Sequence, residues 1–170
     1  MLQIIYTPRL QLIPISKEMA IKLSEVRIEN LCTDLKINSL ENAYYLNYLS
    51  ELGMYFWAIA DDAPWCAYFF IDKQKQLVVG NGGFKGAPQK SVLEIGYEVN
   101  YKFYRNGYAT EAVAGLLKVA ASKKIKAVIA ETNFDNIASE RVLKKNGFIE
   151  TKNFRNDDGE HICHFVRKFA

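Results

Sequence analysis

Cysteine is scarce in this 170-residue chain. Cys32, Cys66 and Cys163 are odd in number and far apart. No C-x-x-C pair occurs, which argues against a disulfide framework or a zinc site and for buried, reduced thiols in the cytosol. Histidine is scarcer still. His161 and His164 lie on no metal-ligand pattern, and a half-exposed strand accounts for them, so no metal is expected. No apolar run approaches the roughly 20 residues that span a bilayer, which excludes a transmembrane helix. The start, Met1-Leu2-Gln3-Ile4-Ile5, has neither a basic leader nor a small-residue cleavage site, so no signal peptide is read and a cytoplasmic location is expected. Charge of one sign is also missing. Lys and Arg number 22 against 19 Asp and Glu, a net +3 with both signs scattered, which is no footprint of a nucleic-acid binder. There is no repeat, low-complexity tract or linker. What is present is 49% hydrophobic and 24% charged residues, the composition of one globular domain, 1–170, with a single core.

Read in order, residues 3–15 suit an edge strand, with Pro8 and Pro14 near its ends. Ser16 caps a helix expected over 17–30 from the stripe Met19, Leu23, Val26. A second helix is expected over 40–52, with a tyrosine-rich stripe that suits core packing or a substrate wall. From 54 to 84 the chain turns aromatic and β-branched. Residues 55–59, 65–71 and 77–79 read as strands, with turns at 61–64 and 72–75. Trp57 and Trp65 are core or wall aromatics. Gly80-Asn81-Gly82-Gly83 fits a hairpin turn or a bulge, and lacks the spacing of a P-loop. After a turn at 86–90, residues 92–99 alternate, with Leu93, Ile95, Tyr97 and Val99 on one face and Glu94, Gly96 and Glu98 on the other.

Residues 108–121 carry one clean apolar face from Ala109 to Ala120. Residues 127–130 are continuously apolar, as in a strand buried on both sides, so strand, helix and strand form a right-handed parallel unit. Asn136 is a natural N-cap for the next helix, and Gly147 its C′ residue. A strand from 148, a hairpin turn at 155–159 and a last strand over 160–169 complete the chain. The turn at 105–110 joins the alternating strand to the apolar-faced helix. The first N–H groups of a helix have no intrahelical partner and carry partial positive charge, and Gly107 lets a backbone approach without a Cβ. Such a turn is a ready pyrophosphate site.

Three blocks resemble the GNAT superfamily of N-acetyltransferases, in its RimJ/RimL-type branch. Tyr104-Arg105-Asn106-Gly107-Tyr108-Ala109, followed by Thr110-Glu111-Ala112, resembles the family's acyl-CoA loop, with Tyr104 where Gln or Arg is usual. Asn136-Ile137-Ala138-Ser139 with the ending Lys145-Asn146-Gly147-Phe148 resembles its Asn-x-x-Ser helix. Thr7-Pro8-Arg9-Leu10 resembles the branch's N-terminal strand, and Glu94-Ile95-Gly96-Tyr97-Glu98-Val99 its central strand. The resemblance implies an α+β fold: a mixed, mostly antiparallel twisted sheet of about six to seven strands with a splayed parallel pair, flanked by about four helices.

The function so implied is acetyl transfer from acetyl-CoA to a primary amine, on a protein N-terminus or a small molecule, by direct attack in a ternary complex. The chain would act as monomer or homodimer, without metal, nucleic acid or membrane. On this reading Tyr104, Arg105, Asn106, Gly107, Tyr108, Ala109 and Thr110 hold the diphosphate, and Tyr97 and Val99 align the pantetheine arm. Asn136 and Ser139 contact the cofactor, and Ser139 also serves the leaving thiolate. Glu94 is the first choice of general base and Glu98 the second; both also read as solvated strand-face charges. Two other classes remain open: a CoA-binding module without chemistry, and a nucleotide-phosphate binder using residues 80–83.

Overall fold

The computed structural model describes residues 3–25, 28–38, 43–60 and 63–169, with backbone only for 28–30 and 43–46. An eight-stranded sheet runs in the order β1-β2-β3-β4-β5-β6-β8-β7. The strands are β1 (Ile5–Tyr6), β2 (Leu10–Pro14), β3 (Ala67–Asp72), β4 (Leu77–Phe84), β5 (Val92–Val99), β6 (Ala127–Asn133), β7 (Ile149–Arg155) and β8 (His161–Lys168). All neighbours are antiparallel except β5 and β6. Six helices are described: α1 (Lys17–Ser24), α2 (Ile28–Leu35), α3 (Ala43–Glu51), α4 (Gly53–Ile59), α5 (Tyr108–Ser122) and α6 (Ile137–Lys145). The mixed, mostly antiparallel sheet is as expected, with a strand and two helices more.

The interior is not one core. The sheet divides it into two clusters. One packs α5 and Leu143 of α6 on Leu12, Phe70, Val79, Leu93, Ile95, Val128 and Phe165. The other packs Ala20, Leu23, Leu31, Leu35, Leu49 and Phe56 from α1–α4 on Phe69, Ile71 and Val78. Both faces of β3 are therefore buried along its whole length.

Two local expectations are corrected. The helix expected over 17–30 is two helices. The apolar stripe is less regular at Leu31, the one sign of the break that periodicity carried. Ser24 Oγ donates to the Ile21 carbonyl (2.8 Å), a local bond that competes with continued helix in the last turn of α1. Val26 lies outside the described residues. Residues 55–59 are not a strand but most of α4. Aromatic residues favour strands only where a pleated surface receives them. Here Gly53, Phe56 and Ala60 are buried at spacings of three and four, while Met54, Tyr55 and Trp57 are exposed. Gly53 comes so close to α1 that a Cβ there would lie 2.9 Å from the Ala20 carbonyl oxygen. The helix expected over 40–52 is described from Ala43 to Glu51, and Leu40 lies outside the described residues, as do Asp61 and Asp62 of the expected turn.

Residues 80–83 are interior strand, paired with β3 on one side and β5 on the other. The hairpin reading fails, and the bulge falls at Val79, just before these residues, which themselves keep an unbroken register. Opposite Phe70 and Ile71 stand Gly80 and Val78, with Val79 unmatched between them. The glycines are needed for closeness. A Cβ on Gly83 would lie 2.3 Å from the Cys66 carbonyl oxygen, and one on Gly80 would lie 2.5 Å from that of Glu98. Gly83→Ala should therefore force the strands apart. About 1–3 kcal/mol of overpacking lowers Tm by roughly 2–12 °C, read by calorimetry. A nucleotide-phosphate site at 80–83 has no loop to occupy.

The parallel ladder of β5 and β6 is short. It runs from Val92↔Ala127 to Ile95↔Ala130 and stops, although β5 continues to Val99 and β6 to Asn133. The two strands splay from Gly96 onward, and that gap is the start of the site.

Candidate active site

Beyond Val99 the chain makes a 3-10 turn, Tyr101–Phe103, capped by Asn100, whose side chain accepts from Lys102 N. It then turns sharply through two left-handed residues, Arg105 (φ 61°) and Gly107 (φ 78°). Gly107 is the N-cap of α5 and supplies no side-chain cap. Glu111 N is the first amide to close a helical bond, onto the Gly107 carbonyl (3.1 Å). Among the described residues, no backbone N–H from 105 to 110 donates to another group of the chain. Six consecutive donors are thus left at the positive end of a 15-residue helix.

A brace from the turn between β1 and β2 holds the turn at 105–107. Arg9 Nη1 donates to the Asn106 carbonyl (2.9 Å), and Arg9 Nε pairs with Glu111 Oε2 (2.6 Å). Thr7 Oγ1 and Arg9 N both donate to Glu111 Oε1, at 2.6 and 2.7 Å. The Arg9 guanidinium also lies over the Tyr108 ring, 4.7 Å from its centroid. Asn106 spends its side chain on the Phe103 and Tyr104 carbonyls, 3.1 Å each, which pulls the turn tight. The two sequence blocks that seemed separate, Thr7-Pro8-Arg9 and Thr110-Glu111, are thus one hydrogen-bonded unit.

Burial by itself would raise the Glu111 carboxyl. The bonds from Thr7 and Arg9 outweigh it and hold the group below the ordinary glutamate range. The stability this lends is complete above that ordinary range and is lost as pH falls through the depressed value. Arg9→Ala removes the brace without touching the free amides. If acetyl-CoA is the ligand that the sequence resemblance implies, the expected effect is a roughly tenfold rise in its KM, from the loss of charge-assisted hydrogen bonds, with kcat changed much less.

Tyr108, the first residue of α5, is buried. Its hydroxyl donates to Asp72 Oδ2 (2.5 Å) and accepts from Lys75 Nζ (3.1 Å). Asp72 is buried too. Burial would raise its carboxyl, but the Tyr108 hydroxyl and the Lys75 and Gln74 amides bring it below the usual range. The helix start is therefore tied to the β3–β4 turn as well as to the β1–β2 turn.

A cavity of about 470 Å³ opens on the turn. Of the candidate residues, Tyr97, Glu98, Val99, Tyr104, Arg105, Gly107, Tyr108, Ala109, Thr110, Asn136 and Ser139 line it. Asn106 and Glu94 do not. Phe103 and Arg141 line it as well, and sequence reading missed both. A search for a cation one helical turn past the Asn136 cap would have found Arg141. A second cavity of about 270 Å³ fills the splay, between Ile95, Gly96 and Tyr97 of β5 and residues 130–133 of β6. Tyr97, Asn136 and Ser139 line both cavities and form the wall between them.

The α6 start is fixed by its cap: Asn136 Oδ1 accepts from Ser139 N (3.0 Å). Ser139 Oγ and Tyr97 Oη are 2.9 Å apart. Glu98 accepts from the Tyr104 hydroxyl (3.1 Å), which places Tyr104 beside a carboxylate rather than at the free amides. Burial raises the Glu98 carboxyl, and the Tyr104 hydroxyl and Val99 amide offset only part of that. Glu94 pairs with Lys85. His161 stacks on Phe134 at 4.4 Å, and His164 bonds the Thr151 hydroxyl (2.8 Å). Among the described residues no group of three or more His, Cys, Asp or Glu side chains could hold a metal ion, and no helix is long and apolar enough to cross a membrane.

The family model described as acetyltransferase (GNAT) domain matches residues 14–149. The chain belongs to the GNAT acetyltransferase family. Its relatives include the uncharacterized N-acetyltransferase YjdG of Bacillus subtilis strain 168, 33% identical over 85 residues. That match covers 49% of this chain, and the chain spans about half (51%) of the length of YjdG. The fold matches a GNAT-family acetyltransferase from Bacillus anthracis at a TM-score of 0.67 and 18% identity, over 98% of each chain. It also matches RimL, the ribosomal L7/L12 α-N-protein acetyltransferase, in complex with coenzyme A, at a TM-score of 0.70 and 17% identity, again over 98% of each chain. At 17–18% identity these two likenesses show the fold. Within a GNAT chain the two edges of the splay, β5 and β6, become the natural frame for the candidate residues.

Proposed function

We propose that this GNAT protein moves an acetyl group from acetyl-CoA to a primary amine, on a protein N-terminus or a small molecule, by direct attack in a ternary complex. One observation carries the reading: the unpartnered amides of residues 105–110, all but Asn106 on residues that line a cavity sharing Tyr97, Asn136 and Ser139 with the one in the splay. They fit a diphosphate, which needs several N–H donors and a positive helix end. Arg105 adds charge beside them. The edge of β5 that leaves β6 after Ile95 offers unpaired backbone to an extended pantetheine arm, as an added strand would. Coenzyme A in the RimL neighbour supports the same choice of donor.

The acceptor must arrive neutral. An α-amine, with a reference pKa of about 7.7–8.0, needs less help than a lysine amine at about 10.4. Glu98 takes the amine proton, directly or through one water. It lines the cavity and burial raises its carboxyl toward a working base. Glu94, first choice on sequence, is second here because Lys85 holds it and it lines neither cavity. The amine nitrogen bonds the thioester carbon, the C–S bond breaks, and its electron pair leaves on sulfur. Ser139 Oγ–H meets that sulfur.

Thiol release from acetyl-CoA, measured over a panel of peptides and small amines, tests this. At least one amine should raise release well above hydrolysis. If acetyl-CoA binds and no amine does so, the protein is a CoA-binding module and the enzyme reading is wrong.

A further inference from the structure

We infer that the Tyr97 hydroxyl is a positioning group for Ser139, turning the serine proton onto the departing sulfur. The inference rests on the acetyl-transfer reading and adds a residue to it. Tyr97 Oη lies 2.9 Å from Ser139 Oγ and 3.2 Å from the Ser139 carbonyl oxygen. A phenol has one proton, so these contacts allow two arrangements of the same heavy atoms. In one, Tyr97 donates to the carbonyl and accepts the serine proton, and Ser139 offers nothing to the cavity. In the other, Tyr97 donates to Ser139 Oγ, and the serine proton is free for a third acceptor.

The position of the pair gives the choice its meaning. Tyr97 and Ser139 stand between the larger cavity and the splay. The Ser139 amide is already fixed on Asn136 Oδ1, which holds the serine backbone at the wall and leaves Oγ only its rotation about χ1. With no anion nearby, the first arrangement satisfies more of the chain's own groups. A sulfur gaining negative charge in the cavity favours the second, because a hydrogen bond to a charged acceptor is the stronger one.

The same chemistry says the pair donates hydrogen bonds and keeps its protons. Burial pushes the Tyr97 phenol up to about 12. A cysteine-type thiol titrates near 8.5, so complete transfer from the phenol is disfavoured roughly 10³–10⁴-fold. The departing thiolate is stabilised in place and takes its final proton from water or from protonated Glu98. Electrons and protons balance without a tyrosinate.

The test is a double-mutant cycle of Tyr97→Phe and Ser139→Ala, read as thiol release with saturating acetyl-CoA, with calorimetry of acetyl-CoA binding as a check on the site. Tyr97→Phe keeps the ring and loses one hydroxyl. It should lower kcat about tenfold with the acetyl-CoA KM within about threefold. Ser139→Ala should lower kcat at least as much, and the double variant should fall no further than Ser139→Ala within about twofold. Additive losses overturn the inference, as does a Tyr97→Phe effect confined to KM, which is what a mere wall would give. If no amine is accepted, the transfer reading has failed on its own, and the cycle is read on acetyl-CoA hydrolysis, which breaks the same C–S bond. Coupling there supports the pair, and independence there overturns it.

Discussion

Gly107→Glu should abolish acetyl-CoA binding: no heat in calorimetry at ligand concentrations at least about 100-fold above the wild-type Kd. Three effects act together. The residue sits at φ 78°, where an L side chain is strained, so the turn that aims the six amides shifts. A Cβ there would lie 3.4 Å from Arg9 Nη2, so the new side chain also disturbs the brace. Most of all, a carboxylate is placed at the mouth of an anion site, where it competes for the same donors and repels a diphosphate. The circular dichroism should stay that of a folded protein, since α5 is held by Ala112, Val113, Leu116 and Ala120, all fully buried. Retained affinity would show that the diphosphate lies elsewhere.

Glu98→Gln should lower kcat about 10²–10³-fold, the usual scale for a lost general base, with acetyl-CoA affinity changed little. Glu94→Gln should change it less than about threefold, because that carboxylate already serves Lys85. The pH profile separates base from structure. Burial raises the Glu98 carboxyl, so wild-type log kcat should fall with unit slope as pH drops through a midpoint above the ordinary glutamate value, and the variant should be flat there. The stability sign runs the other way. A carboxyl whose folded value is raised stabilises the fold when protonated, and that contribution is lost as pH rises through the folded value. Glu98→Gln should therefore be at least as stable as the wild type at neutral pH, so a loss of turnover cannot be laid to unfolding. An equal loss in both variants, or a profile that keeps its acid limb in Glu98→Gln, would remove Glu98 from the proton path.

The prominence of the anion turn in sequence has a local cause. A strand period, two left-handed positions and a helix period follow one another within some thirty residues, and each is set by neighbours in the chain. Gly147 (φ 76°) and the Asn136 cap were legible for the same reason. What sequence reading missed was set across the chain. Residues 55–59 look like a strand because Tyr, Phe and Trp favour one, and only docking on α1 through Gly53 makes them a helix. Arg9 could be placed in a motif but not against Glu111, more than a hundred positions away.

By itself, the sequence determined the order of elements from β3 onward and the parallel unit around α5, because these rest on periodicity, and it carried the local motifs on which the family resemblance stands. The tertiary structure decided which carboxylate faces the cavity. Alternation puts Glu94 and Glu98 on the same face of β5, and nothing local distinguishes them. Lys85 from the neighbouring strand end takes one, while the other, bonded by the Tyr104 hydroxyl, lines the cavity. It likewise decided that Tyr97 meets Ser139, since that contact exists only because β5 and β6 part after Ile95 and let α6 close the gap.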